Sequence, residues 1–305
     1  MSTDSTAPRV CVTNAKGGTG KTTIAINVAG ALNERGQDVL FVDLDPQGNA
    51  TEGLGLLDAY DKDPPTFFDV LTDHRKRHLV NDLIVEHEEM DVLPSNIDLL
   101  QAEHELTIAD LIARVKNDPE STIDPAELAS LAINVRPEGV TGPHALTVLD
   151  DTLDEVEHEY DYVIIDSPPF YGKLTDTGIY AAQHVLIPAL TEATSERAIE
   201  LLIDQLAALE GQTGITVETM GVVANRVEKT NEDQVMLEWL NEVFADFPVW
   251  EVRKRVALQR AFSAGSSVFA FGESVDMADV FLEIADSFEE RFETETRHAD
   301  QEVPL

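Results

Sequence analysis

Cysteine and basic residues are what this chain has least of. It carries a single cysteine, Cys11, among 305 residues. That excludes an internal disulfide, and it excludes a Cys-x-x-Cys metal or iron–sulfur site. Cys11 lies in an apolar run and reads as core packing. No apolar run approaches the ~18 residues that span a bilayer. Met1–Pro8 is polar, includes an acid, and is followed by no apolar core of the signal-peptide kind, so a cytoplasmic protein is expected. No pair of histidines has metal-ligand spacing. Only 21 lysines and arginines face 58 acids, for a net charge of −37. Such a surface has two readings. One is a protein that repels nucleic acid and anionic membranes. The other is adaptation to molar intracellular salt, where repulsion is screened and carboxylates keep the surface solvated. The acids are spread along the whole chain and lysines are fewer than arginines, which favours the halophilic reading.

What is present is a folded chain, with 43% hydrophobic residues and length for a large core or two domains. Residues 9–14 read as a short buried strand, followed by a Gly-rich loop. Ile24, Val28 and Leu32 then recur at helical spacing up to Gly36. A second apolar strand, 39–42, ends in Asp43-Leu44-Asp45-Pro46. This is a βαβ unit. Further strands are expected at 90–93, 162–165, 184–187, 220–224 and 249–252. Helices are expected at 145–157, 174–182, 196–209, 232–244 and 277–292. The alternation predicts an α/β fold: one doubly wound, mostly parallel sheet with helices on both faces. Residues 1–8 read as a flexible N-terminus, 9–292 as the domain, and 293–305 as an acidic tail. Residues 113–142, rich in Asp, Glu, Pro and Gly, read as an acidic surface insertion with one short helical pattern near 125–133.

The loop is Lys16-Gly17-Gly18-Thr19-Gly20-Lys21-Thr22-Thr23. Phosphate cradles need inward backbone N–H groups and glycines that let the chain come close. Lys21 stands where an ammonium reaches the outer phosphates, and Thr22 where a hydroxyl ligates Mg²⁺. Strand before and helix after supply the context, so a nucleotide-binding P-loop is expected. Ala15 stands where the ordinary motif has its first glycine. Lys16 is not needed by such a cradle, and it fits phosphate charge from a second nucleotide-bound subunit. Asp43 and Asp45 end one strand and Asp166 another, where carboxylates hold Mg²⁺ waters or orient an attacking water.

The loop resembles the deviant Walker A motif of the ParA/MinD ATPases. The likeness continues through Val42-Asp43-Leu44-Asp45-Pro46-Gln47-Gly48-Asn49-Ala50-Thr51, the form of Soj-like ParA proteins. It recurs at Tyr160–Pro169 and, more loosely, at Leu186-Ile187-Pro188 and 221–226. It covers nearly the whole chain apart from the insertion and the two ends. The resemblance implies a P-loop NTPase fold and an ATPase that is slow without its partner, with ATP and Mg²⁺ as cofactors. It implies a homodimer in the ATP state, with Lys16 crossing to the partner's nucleotide, and a ParB-like activator. Lys16, Lys21 and Asp45 would be the catalytic set. Thr22 would bind Mg²⁺ directly, with Asp43 and Asp166 behind its waters. Asn225 would meet the adenine.

Soj-like dimers bind DNA nonspecifically through basic residues late in the fold. Here Arg253, Lys254, Arg255 and Arg260 form the densest basic run, and a nucleoid-associated location would follow. Ala257 replaces an arginine usual in the family. Arg75-Lys76-Arg77 reads as a solvated loop. The acidic C-terminus differs from the basic amphipathic helix by which MinD proteins reach the membrane, so no membrane partner is expected. With only eight residues before the first strand, no operator-reading helix-turn-helix is expected. The implied function is ATP-dependent chromosome or plasmid partition. Positioning of a non-DNA cargo, or regulation of the division site, is the alternative.

Overall fold

The computed structural model describes residues 7–142 and 144–301. Seven strands lie in one all-parallel sheet, ordered β3-β2-β4-β1-β5-β6-β7. They are β1 Arg9–Val12, β2 Val39–Asp43, β3 Asp91–Leu93, β4 Tyr162–Asp166, β5 His184–Leu190, β6 Glu218–Val227 and β7 Val249–Arg253. Each falls where an apolar run predicts a strand. The runs are apolar rather than alternating because a parallel sheet is covered on both faces.

Successive side chains point into opposite layers. Val10 and Val12 pack with helix Lys21–Glu34 and helix Ala278–Gln301. Cys11 faces the other layer and is fully buried there. That layer includes helices Ala102–Asn117, His144–Leu153, Lys173–Ala182, Thr194–Thr213 and Asn231–Val243. β1 lies centrally, between β4 and β5. The connection from β1 runs to β2 on one side and that from β4 crosses to β5 on the other, and the crevice this reversal opens at the carboxyl ends of the strands is where ligands bind in such sheets.

Three expectations are corrected. Residue 113 does not begin an insertion, because it lies inside helix Ala102–Asn117. Nor is the stretch to 142 merely solvated. Ile108, Ala109, Ile112 and Ala113 bury against Ala129, Val135 and Val140 in a small core of their own. Glu105 anchors it. Its carboxylate is fully buried and accepts from three successive backbone N–H groups, Ile133 (2.6 Å), Asn134 (2.9 Å) and Val135 (3.0 Å). A glutamate on the buried face hid this helix from an apolar-periodicity reading. Second, no tail begins at 293, since the last helix continues to Gln301. Phe281, Ile284, Ala285, Phe288 and Phe292 seat that helix on the core. The expected flexible N-terminus lies largely outside the described residues. Third, the basic group at 75–77 is not a free solvated loop: Arg75 pairs with Asp73, Lys76 with Asp69 and Arg77 with Asp151. No helix of the described residues is long and apolar enough to cross a membrane.

Glu105→Ala leaves three N–H groups, those of Asn134 and Val135 buried, without their acceptor. The expected loss is about 3 kcal/mol of unfolding free energy, measured by denaturant titration in molar KCl, with faster amide exchange at 133–135. Unchanged exchange there would remove the anchoring role.

Candidate nucleotide site

The loop after β1 is fixed at its start by Asn14. This fully buried side chain donates to the Pro188 carbonyl at 2.7 Å and accepts from the Lys16 N–H at 3.0 Å. Gly18 and Gly20 have φ of +77° and +87°, a region that side chains rarely adopt. A Cβ on Gly20 would also collide with the Asn225 amide. No side chain caps helix Lys21–Glu34, and no acid lies in its first turn. Its N-terminal N–H groups and the positive end of its dipole are left for an anion.

Three carboxylates and one ammonium meet beneath the loop. Register pairs Asp43 with Asp166 on adjacent strands, and both are fully buried. Asp45 and Lys21 are nearly so. Burial, reinforced by Asp43, pushes Asp166 well above the usual carboxylate range. Burial likewise pushes Asp43 up to about 7, against the hydrogen bonds of Thr51, and raises Asp45 against the Gln47 N–H. Burial lowers Lys21, with Asp166 and Asp45 opposing. A cluster with three acids to one base is short of positive charge, which a divalent cation would supply.

The two strand-end acids differ in what they hold. Asp43 is committed to the chain. Its Oδ2 accepts from the Thr51 N–H (2.8 Å) and hydroxyl (2.7 Å), and its Oδ1 from the Asp45 N–H (3.3 Å). Through these bonds Asp43 ties the following loop. Asp166 has the opposite character. The Thr22 hydroxyl lies near enough to favour its charged form, but it makes no hydrogen bond of normal geometry, and both carboxylate oxygens are buried without a partner. Such orphaned acceptors are costly. They fit the hydration shell of a cation ligated by Thr22. No group of three or more His, Cys, Asp or Glu among the described residues is arranged to grip a metal alone.

Lys16 is folded back on its own chain. Its Nζ donates to Glu192 Oε2 (2.9 Å), Thr194 Oγ1 (2.6 Å) and Ser195 Oγ (3.3 Å). The ammonium holds Glu192 below the usual carboxylate range. Glu192 escaped sequence reading; its only signal is an acid two residues past the end of β5.

Beside the loop, the ends of β5, β6 and β7 and helix Val256–Ser263 enclose a cavity of about 530 Å³. Thr23, Thr191, Asn225, Leu258 and Phe262 are among its lining residues. Its position relative to the loop suits a nucleotide base. Asn225 lines it, but both ends of its amide are used. Nδ2 donates to the Thr19 carbonyl (2.8 Å) and Oδ1 accepts from the Arg226 N–H (2.8 Å). With these bonds Asn225 braces the loop from below. Arg226 takes φ +57° at the register shift between β6 and β7.

Arg253, Lys254 and Arg255 of the basic run stand at the rim of this cavity. Lys254 pairs with Glu228 (2.6 Å), Arg255 with Asp276 (2.6 Å) and Arg260 with Glu273 (2.8 Å). Three of the four candidate DNA contacts therefore already hold an acid.

A family model described as an AAA domain matches residues 8–218. The sporulation initiation inhibitor protein Soj of Bacillus subtilis is 29% identical over 281 residues, covering 90% of this chain and 96% of Soj. The chromosome partitioning protein ParA of Myxococcus xanthus is 34% identical over 185 residues, covering 60% of this chain and 52% of that protein. In structure, the ATP complex of a Cyanothece McdA variant superposes with a TM-score of 0.72 at 20% identity, covering 93% of this chain and 97% of McdA.

Asp166→Asn is expected to act with opposite signs in two states. Replacing an unpartnered buried carboxylate should raise the stability of the nucleotide-free protein by about 1–3 kcal/mol. The Mg²⁺-dependent part of the melting shift caused by ATP should disappear. Thermal melts with ATP plus Mg²⁺ and with ATP plus EDTA test both; an undiminished Mg²⁺ effect would remove Asp166 from the cation site.

Proposed function

The chain belongs to the ParA/MinD family of P-loop ATPases, and from that premise we propose that it is an ATP-gated dimer switch that partitions DNA, chromosomal or plasmid-borne. The observation that carries this reading is Lys16. It is a second lysine beside a loop whose own phosphates Lys21 serves, and an exposed acid, the exposed Thr194 hydroxyl and the buried Ser195 hydroxyl hold it. The Lys16–Glu192 pair is half open to solvent, and pairs of that kind contribute only about 0–1 kcal/mol. Facing nucleotide phosphates on a second copy, Lys16 can exchange Glu192 for them at little cost.

Bound Mg·ATP supplies the phosphoanhydride bond whose hydrolysis resets the switch. Lys21 and the backbone N–H groups of Gly17–Thr23 hold phosphate charge in a water-poor cradle. Thr22 offers a hydroxyl to the cation, and Asp166 accepts from the cation's hydration shell. Asp45 orients the attacking water, while Lys16 ties the two copies together. A ParB-like activator would raise a slow intrinsic rate. DNA would be held by Arg253, Lys254, Arg255 and Arg260 after exchange of exposed acids for phosphates.

Those pairings, together with the −37 charge, are the support for the second reading, in which the same switch positions a cargo other than DNA. ATP-dependent DNA binding across a KCl series separates the two. Binding with a shallow salt slope fits few phosphate contacts. Absence of binding at every salt concentration favours the other cargo.

Two variants test the switch itself. Asp45→Ala should retain ATP binding and lose at least about tenfold in hydrolysis; equal turnover in molar KCl would sink its assignment. Lys16→Ala should bind ATP yet stay monomeric by light scattering, whereas Glu192→Gln should dimerise at lower ATP. Lys16→Ala dimers as abundant as those of the wild type would remove the cross-subunit role.

A further inference from the structure

The segment that carries Asp45 is closed by a hydrogen-bonded ring involving two residues to which the preceding reading gives no part, Thr51 and Ser95. The Ser95 hydroxyl donates to the Asp45 carbonyl at 2.5 Å. The Ser95 N–H donates to the Thr51 hydroxyl at 2.9 Å, and that hydroxyl donates on to Asp43 at 2.7 Å. Asp43 accepts in turn from the Asp45 N–H. The path runs Asp45–Ser95–Thr51–Asp43 and back to Asp45. Asp43, Thr51 and Ser95 are wholly buried and Asp45 is 4% exposed.

The fold brings these groups together from three places. β3 pairs with β2 so that Val42 meets Leu93, and two further residues bring Ser95 level with the start of the loop. Thr51 belongs to the short helix Asn49–Gly53 at the other end of that loop. The ring thus grips Asp45 by both its N–H and its C=O, and it draws together loop ends eight residues apart. The Asp45 side chain leans on the Gln47 N–H (3.0 Å), and the Tyr60 hydroxyl holds the Pro46 carbonyl (2.9 Å). An unpaired backbone group in a site this dry is expensive, so each ring member has a single low-energy position.

We propose that Ser95 and Thr51 are positioning residues for hydrolysis, fixing Asp45 relative to the end of β4 where Asp166 stands. The inference rests on the reading of Asp45 as the residue that orients water. Both hydroxyls are wholly buried and bonded within the ring, and neither belongs to the glycine loop, so their loss changes where Asp45 points and leaves the phosphate cradle intact. Displacement of a catalytic group by about 1 Å costs up to ~100-fold in rate.

The experiment uses the full chain with Ser95→Ala, Thr51→Val and the hydroxyl-retaining Thr51→Ser, each read in two ways. For nucleotide-free protein, amide exchange should quicken in residues 44–51 in Ser95→Ala and Thr51→Val, and should stay near wild type in Thr51→Ser. For hydrolysis, kcat should fall about 10- to 100-fold in the first two, with the ATP dissociation constant within about twofold, and should recover in Thr51→Ser. Unchanged exchange at 44–51 overturns the ring. Quickened exchange with wild-type kcat, or a loss confined to ATP affinity, overturns the positioning role. A wild-type chain that binds ATP without hydrolysing it would strike the functional reading alone, because the exchange result judges the ring independently.

Discussion

Asp43 and Asp166 stand in register on neighbouring strands, both excluded from water, at the carboxyl edge of a sheet where no aliphatic side chain could do their work. Two carboxylates at that distance in a dry site repel each other and cost folding free energy. Lys21 offsets part of this. The rest of the local structure follows from how each acid is satisfied. Asp43 takes its donors from the chain and so shapes the loop that follows β2. Asp166 takes none, and that is the vacancy in hydrogen bonding on which a cation's hydration shell would depend.

This division sets apart two acids that have similar sequence settings. A carboxylate that accepts three hydrogen bonds from its own loop is spent on geometry. A carboxylate with two bare oxygens carries a cost that a proton or a cation's hydration shell can relieve. The same distinction holds for the amide of Asn225, spent on Thr19 and Arg226, and for the ammonium of Lys16. Of the Lys16 bonds, those to Glu192 and Thr194 are made to exposed partners and can be exchanged, while the longer one to Ser195 reaches a buried hydroxyl.

The sheet was legible because its strands are buried on both faces, and buried strands must be apolar runs. The cradle was legible because φ beyond +70° at Gly18 and Gly20 demands glycine. Helix Ala102–Asn117 was not, because Glu105 and Glu103 interrupt its apolar face with acids that bind backbone N–H groups elsewhere, at 133–135 and at Lys173 and Leu174. Ser95, Thr51 and Glu192 were likewise hidden. A serine past a strand end looks the same whether its hydroxyl meets water or a carbonyl 50 residues away. The split between Asp43 and Asp166 depends on which donors come near, and that is a property of tertiary structure.

The order of strands also has a consequence for biosynthesis. β1 finds no partner until β4 and β5 exist, because Val12 pairs with Asp166 and Leu186. At about 5–20 residues per second, a ribosome needs on the order of 10–30 s to span the intervening chain. Through that interval the first strand and the glycine loop behind it wait without a sheet. The nucleotide cradle, encoded almost first, therefore gains its sheet only after more than half of the chain has been made.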